Sequence, residues 1–244
     1  MRGLSAAEIL LIWERGRGLA PSQQAMLLLM AADRDESPER LARLSIGQRD
    51  KRLLELRAQT FGPRLDGLTG CPACGENLEV KMNAPDLRAD CPTEGPEDRS
   101  LSWGEYELRF RLPNCSDVAS LARDTDISAA RGTLLGRCLL GATRGQKSIS
   151  LEELPEAAIG ALSKEVVRAE PLADFQLALR CPQCAHEWQT PFDIVSFFWN
   201  EISSRAARLL REVHALASAY GWSESEILGL SPSRRQGYLE MVPA

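Results

Sequence analysis

Histidine is nearly missing from this chain of 244 residues, which has only His186 and His214. The commonest acid–base side chain at neutral pH is therefore scarce. No glycine-rich phosphate loop, Gly-x-Ser-x-Gly elbow or His-Glu-x-x-His pair takes its place. Glu152-Glu153 sits at a helix start, where the positive end of the helix dipole accounts for the two acids. His214 lies in a helical run between Val213 and Leu216, a core-flanking or surface position. An enzyme is not expected.

Long apolar runs are lacking too. The longest, Ala25 to Ala32, has eight residues, far short of the ~20 that a membrane-spanning helix needs. Near the N-terminus, Ile9 to Trp13 is bracketed by Glu8 and Glu14 and has no small-residue cleavage site, so no signal peptide is read there. A cytoplasmic location is the expectation. Lysine is rare, four residues against 25 arginines, a bias that a GC-rich coding sequence explains before any function does. With 29 basic and 34 acidic residues the net charge is −5, so the overall positive field behind non-specific nucleic-acid binding is absent. The chain is 44% apolar and 26% charged, which is ordinary for a globular protein with its own core.

What is present is cysteine in a pattern. Of the seven cysteines, four form two copies of one turn, Cys71-Pro72-Ala73-Cys74-Gly75 and Cys181-Pro182-Gln183-Cys184-Ala185. An odd count in a chain read as unexported disfavours a disulfide framework. Each turn can aim two thiolates at one point, and the small residue after the second Cys lets the chain reverse. The pair of turns predicts one tetrahedral zinc ion on Cys71, Cys74, Cys181 and Cys184. Four thiolates close the coordination shell, so the metal is expected to be structural. A redox Cys-x-x-Cys is the competing reading, but neither turn is followed by the helical pattern it requires. His186 reads as a surface residue, with a substitute-ligand or supporting role as the alternative. Cys138 lies in the apolar run Leu134 to Leu140 and reads as buried core, while Cys91 and Cys115 read as ordinary thiols.

Alternating residues flank both turns: Leu78, Val80 and Met82 after the first, and Ala173, Phe175, Leu177 and Leu179 before the second, with Trp188 following. These are strand patterns, and the layout is that of a zinc ribbon. A third run, Tyr106, Leu108, Phe110 and Leu112, is expected to complete its small antiparallel sheet. The fold class is therefore α+β. Residues 1–62 form an N-terminal helical segment of three short helices, opened by the capping box Ser5-x-x-Glu8. Residues 63–112 and 170–194 form the ribbon, with a mobile loop at 84–100 rich in proline and acid. Residues 113–169 form a helical insertion between the knuckles. Residues 195–244 form a long helix stopped by Gly221, then two short capped helices begun by Ser223-x-x-Glu226 and Ser231-Pro232.

Two readings of function follow. Zinc ribbons often bind nucleic acid, and Arg205, Arg208, Arg211, Arg234 and Arg235 are the candidate phosphate contacts for a nucleic-acid-binding or transcription-associated adaptor. Against this, residues 195–244 carry five basic and five acidic side chains, as solvated helix faces do. The other reading comes from a resemblance. Phe192-Asp193-Ile194-Val195-Ser196-Phe197-Phe198-Trp199-Asn200-Glu201-Ile202, followed by Tyr220-Gly221-Trp222-Ser223-x-x-Glu226-Ile227-Leu228 and Ser231-Pro232-x-Arg234-Arg235-x-x-Tyr238-Leu239, resembles the baseplate hub assembly chaperones of contractile-tailed phages and phage-tail-like injection systems. The paired Cys-Pro-x-Cys turns and Arg111-Leu112-Pro113 are similar to the longer, zinc-ribbon-containing bacterial members. The resemblance implies a non-enzymatic assembly factor or minor component of the baseplate, with hub, spike or other baseplate proteins as partners and no small-molecule substrate. Trp199, Tyr220, Trp222 and Tyr238 are the candidate partner-binding residues, against the plainer reading that aromatics at helix ends close the local core.

Overall fold

The computed structural model describes residues 1–33, 35–88, 98–121 and 126–242; Cys91, Ala122 and most of the proline-rich stretch fall outside them. Four helices open the chain: α1 (Ala6–Gly16), α2 (Pro21–Ala32), α3 (Pro38–Arg43) and α4 (Ile46–Phe61). One more forms than the three expected, because Ser37 caps the Arg40 amide and Pro38 presets the first helical φ. Ser5 and Glu8 make the expected capping box at α1, and Ser45 with Gln48 makes another at α4.

Two hairpins carry the Cys-Pro-x-Cys turns. The first joins β1 (Arg64–Gly70) to β2 (Asn77–Asn83), and the second joins β7 (Gln176–Arg180) to β8 (Glu187–Pro191). Strand β7 begins later than its alternation suggests, because Pro171–Asp174 is a short 3-10 turn. The loop expected from residue 84 instead opens with a helical turn, α5 (Ala84–Arg88).

The segment between the hairpins departs most from expectation. Strands β3 (Asp98–Trp103), β4 (Tyr106–Arg111), β5 (Leu139–Arg144) and β6 (Lys147–Ile149) form a separate four-stranded antiparallel sheet in sequential order. The run Tyr106 to Leu112 therefore does not complete the ribbon, and the insertion is not helical throughout. Leu139 and Leu140, expected in a helix, stand in β5, where Leu108 faces Ala142 and Gly145 at φ 62° turns the chain into β6. Helices α6 (Cys115–Ser120), α7 (Ile127–Cys138) and α8 (Glu156–Ala169) accompany this sheet. Leu108, Phe110, Leu135, Ala142, Ala158 and Leu162 make its own core, and Cys138 is buried as expected.

The C-terminal part follows its sequence closely. Helix α9 (Ile194–Tyr220) is capped by the Asp193 carboxylate and ends at Gly221 in the left-handed conformation, φ 70°. Helices α10 (Glu224–Gly229) and α11 (Pro232–Met241) start at Ser223 and Ser231, each accepting from its third helical amide. Phe198, Ile202, Ala206 and Leu209 of α9 share one apolar core with Ile9, Ile12, Leu28 and Leu53 of the first four helices. The two ends of the chain thus bury each other, and the knuckle hairpins lie along this joint core through Leu65, Phe175 and Phe192.

Candidate metal centre

Each knuckle is closed by the same pair of backbone hydrogen bonds. The Cys71 amide donates to the Glu76 carbonyl at 2.8 Å and the Gly75 amide to the Cys71 carbonyl at 2.9 Å. In the second, the Cys181 amide donates to His186 at 2.9 Å and the Ala185 amide to Cys181 at 3.0 Å. The equivalence extends to conformation: Gly75 has φ 76° and Ala185 φ 58°, the latter alone among described non-glycine residues in the positive region. Only a small residue tolerates that position, because a Cβ there approaches the following carbonyl.

The turns meet. All four sulfurs lie within 4.8 Å of one another, with Cys71 Sγ 3.7 Å from Cys184 Sγ and Cys74 Sγ 3.6 Å from Cys181 Sγ. A tetrahedron with zinc–sulfur bonds of about 2.3 Å has edges of about 3.8 Å, so these separations fit a four-thiolate site. Cys71 and Cys181 are buried while Cys74 and Cys184 are exposed, and none is in a disulfide. Leu78 and Trp188 are the apolar residues packed beside the two buried sulfurs.

The cluster is electrostatically unfinished without a cation. Burial opposes ionisation of Cys71, but the Cys74 and Ala73 amides overcome it and bring the thiol down to about 7. At Cys74 the Glu76 amide favours the thiolate, yet the sulfur of Cys184, burial and the remaining sulfurs push it up to about 12. A divalent ion held there would displace the protons of Cys71 and Cys74. The chemistry of the donor set suits zinc, which would be held by Cys71, Cys74, Cys181 and Cys184. His186 is exposed, outside this group, and stacks on Trp188 with ring centres 6.0 Å apart.

Residues 21–199 match the T4 bacteriophage base plate protein family. The chain belongs to that family. No curated protein and no solved structure matches the chain. The matched span contains both knuckles and the hairpins that present them, and it includes α2, α3 and α4. Of the residues on which the hub assembly chaperone resemblance was read, the two Cys-Pro-x-Cys turns, Arg111-Leu112-Pro113 and 192–199 lie inside the matched span, and 200–239 lie beyond it.

Within this base plate protein the four aromatic candidates divide. Tyr220, Trp222 and Tyr238 come together where α9 meets α11: Tyr220 stacks on Trp222 at 4.7 Å, and Tyr238 meets Trp222 edge-on at 4.8 Å. Trp199 stands apart, half-buried and packed on the joint core against Gly16, where a Cβ would lie 2.1 Å from its ring.

The arginines divide as well. Arg234 and His214 are exposed, but Arg235, expected on a solvated face or at phosphate, is 1% exposed. Its Nε donates to the Glu212 carboxylate at 2.6 Å and its Nη1 to the Leu230 carbonyl at 3.2 Å. Burial of Arg57 against Glu201, through bonds of 2.9 and 2.6 Å, likewise went unread in the sequence. Glu201 lies 144 residues from Arg57, and no local pattern marks such a pair.

Proposed function

We propose that this base plate protein is a non-enzymatic assembly factor, or a minor component, of a contractile phage-tail-like baseplate at its hub. In this reading it acts by binding other baseplate proteins while one structural zinc ion on Cys71, Cys74, Cys181 and Cys184 clasps the two hairpins. The family match over residues 21–199 carries the reading, because it spans all four cysteines. The convergence of the sulfurs supports the metal, and a closed thiolate set leaves no coordination position for substrate. A cytoplasmic location belongs to this proposal. Among the described residues no helix is long and apolar enough to cross a membrane.

The test is affinity capture of the tagged chain from cells expressing its neighbouring genes, with partner identification and metal analysis of one sample. Hub, spike or wedge proteins with one zinc per chain are the expected result. Absence of the chain from mature particles would make it a chaperone, and presence would make it a component. Nucleic acid or polymerase subunits in place of baseplate proteins would overturn the proposal.

A further inference from the structure

Away from the metal centre, a groove of about 1450 Å³ runs between the start of α1, strand β1, helix α9 and the link from α10 to α11. It is larger than the roughly 300–1,000 Å³ usual for small-molecule sites and is open along one side, a shape suited to a segment of chain.

Its charge is opposite to that of the molecule. Arg57, Arg64, Arg205, Arg208 and Arg235 line it, against Asp66 and Glu201. Arg57 is matched by Glu201, and Arg64 stands 3.3 Å from Asp66. Arg205 and Arg235 share the single carboxylate of Glu212, at 3.5 and 2.6 Å. Arg208, exposed on α9, has no carboxylate partner among the described residues. Five guanidinium groups thus face three carboxylates, in a chain whose net charge is −5. Burial, together with repulsion from Arg208 and Arg235, holds Arg205 below its ordinary value despite Glu212, so the cations are crowded and partly desolvated.

Apolar side chains alternate with these charges. Phe61, Phe197, Leu228 and Leu230 are half-buried in the walls, and Leu68 on β1 is 80% exposed at the rim. A polyanion backbone has no use for such walls, whereas an amphipathic peptide with acidic and apolar faces satisfies both features.

We propose that this groove is a docking site for an acidic, amphipathic segment of a partner protein, with Arg208 and Arg205 taking its carboxylates and Leu68 and Phe197 its apolar side chains. The identification of that partner as a baseplate protein rests on the function proposed above, but the groove can be tested independently of it.

The experiment uses the full zinc-loaded chain and three fluorescent probes: a Glu/Leu amphipathic peptide, a Lys/Leu peptide of the same pattern, and a single-stranded oligothymidylate. Anisotropy is expected to show salt-sensitive binding of the Glu/Leu peptide alone. R208E should weaken it by about tenfold, and Leu68→Ser should weaken it without removing the salt dependence, while R131E on α7 leaves it unchanged. Unaltered thermal unfolding and zinc content show that the variants are folded. No binding of the Glu/Leu peptide, equal binding of the Lys/Leu peptide, no effect of R208E, or preferential binding of the oligonucleotide would each overturn the proposal. If baseplate proteins are not captured but the Glu/Leu peptide binds as described, the functional reading fails and the groove stands.

Discussion

The two sheet-bearing regions of this chain solve one problem by different means. The four-stranded sheet has α7 and α8 beside it and buries Phe110, Leu108, Leu135 and Leu162 in a core of its own. The paired knuckle hairpins have four sulfurs where such a core would be, with only Leu78 and Trp188 beside them. Strand content is therefore a poor guide to what holds a region together. One sheet rests on apolar area, roughly 25 cal/mol for each Å² removed from water, while the knuckle ends of the two hairpins rest on the proposed metal, the first hairpin reaching the joint core only at its far end through Leu65 and Met82.

Removing the proposed metal should break this contrast most forcefully. A chelator, or Cys181→Ser at the proposed buried ligand, is expected to forfeit a binding free energy of about 10–16 kcal/mol typical of structural zinc. Amide protection should fall at the knuckle ends of β1, β2, β7 and β8 and Trp188 fluorescence should change, while the four-stranded sheet stays protected. Unchanged hairpin protection in the zinc-free chain would show that the sulfurs do not hold it.

Phe110→Ala is the converse. A cavity in the four-stranded unit should cost about 3–5 kcal/mol, visible as a lower denaturation midpoint, with one zinc per chain retained. Loss of zinc in this variant would mean that the two regions fold as one.

Acid should separate the regions further. Burial raises the Asp117 carboxyl, but Arg111, the Asn114 amide and Arg137 outweigh it and hold it at about 2. The unfolded chain thus binds more protons there between about pH 4 and 2, and stability from this group is present above that window and lost as pH falls through it. Asp50 in the helical core is opposite: burial, opposed by Arg49 and aided by Asp193, pushes it up to about 6. Its folded form takes the proton first, so stability from this site falls as pH rises from about 4 to 6. Asp117→Asn should flatten the first dependence and Asp50→Asn the second, as measured by denaturant melts across pH.

The smallest effect compares the knuckles with each other. Ala185→Gly relieves a left-handed alanine and should stabilise by about 1 kcal/mol, while Gly75→Ala should cost a similar amount. A shift in the same direction for both changes would show that the turns are not equivalent.

These cases also show what was legible in the sequence. The metal centre was readable because each ligand pair lies within four residues and its geometry is a property of the turn. The caps at Ser5, Ser223 and Ser231 were readable for the same reason, as was the glycine stop at 221. Strand β5 was not: Leu139-Leu140 suits either period, and what decides it is the pairing of Leu139 with Phe110, some thirty residues earlier. The burial of Arg235 was hidden because its counter-charge, Glu212, stands 23 residues away on another helix. Helix α3 was not legible because Pro38, a residue that usually breaks a helix, is here its first.

The sulfur contacts between the two knuckles join residues 107 and 113 positions apart, and this separation has a consequence for how the molecule is made. A growing chain exposes its first knuckle long before the second exists, so a bound ion has only half its ligands until Cys181 and Cys184 emerge. Closing the ring then restricts a loop of more than a hundred residues, for which chain-entropy arguments give roughly 4–5 kcal/mol when the crosslink is a permanent bond. The four-stranded unit is encoded wholly inside that ring, so its strands emerge, and can pair, before the second half of the site does.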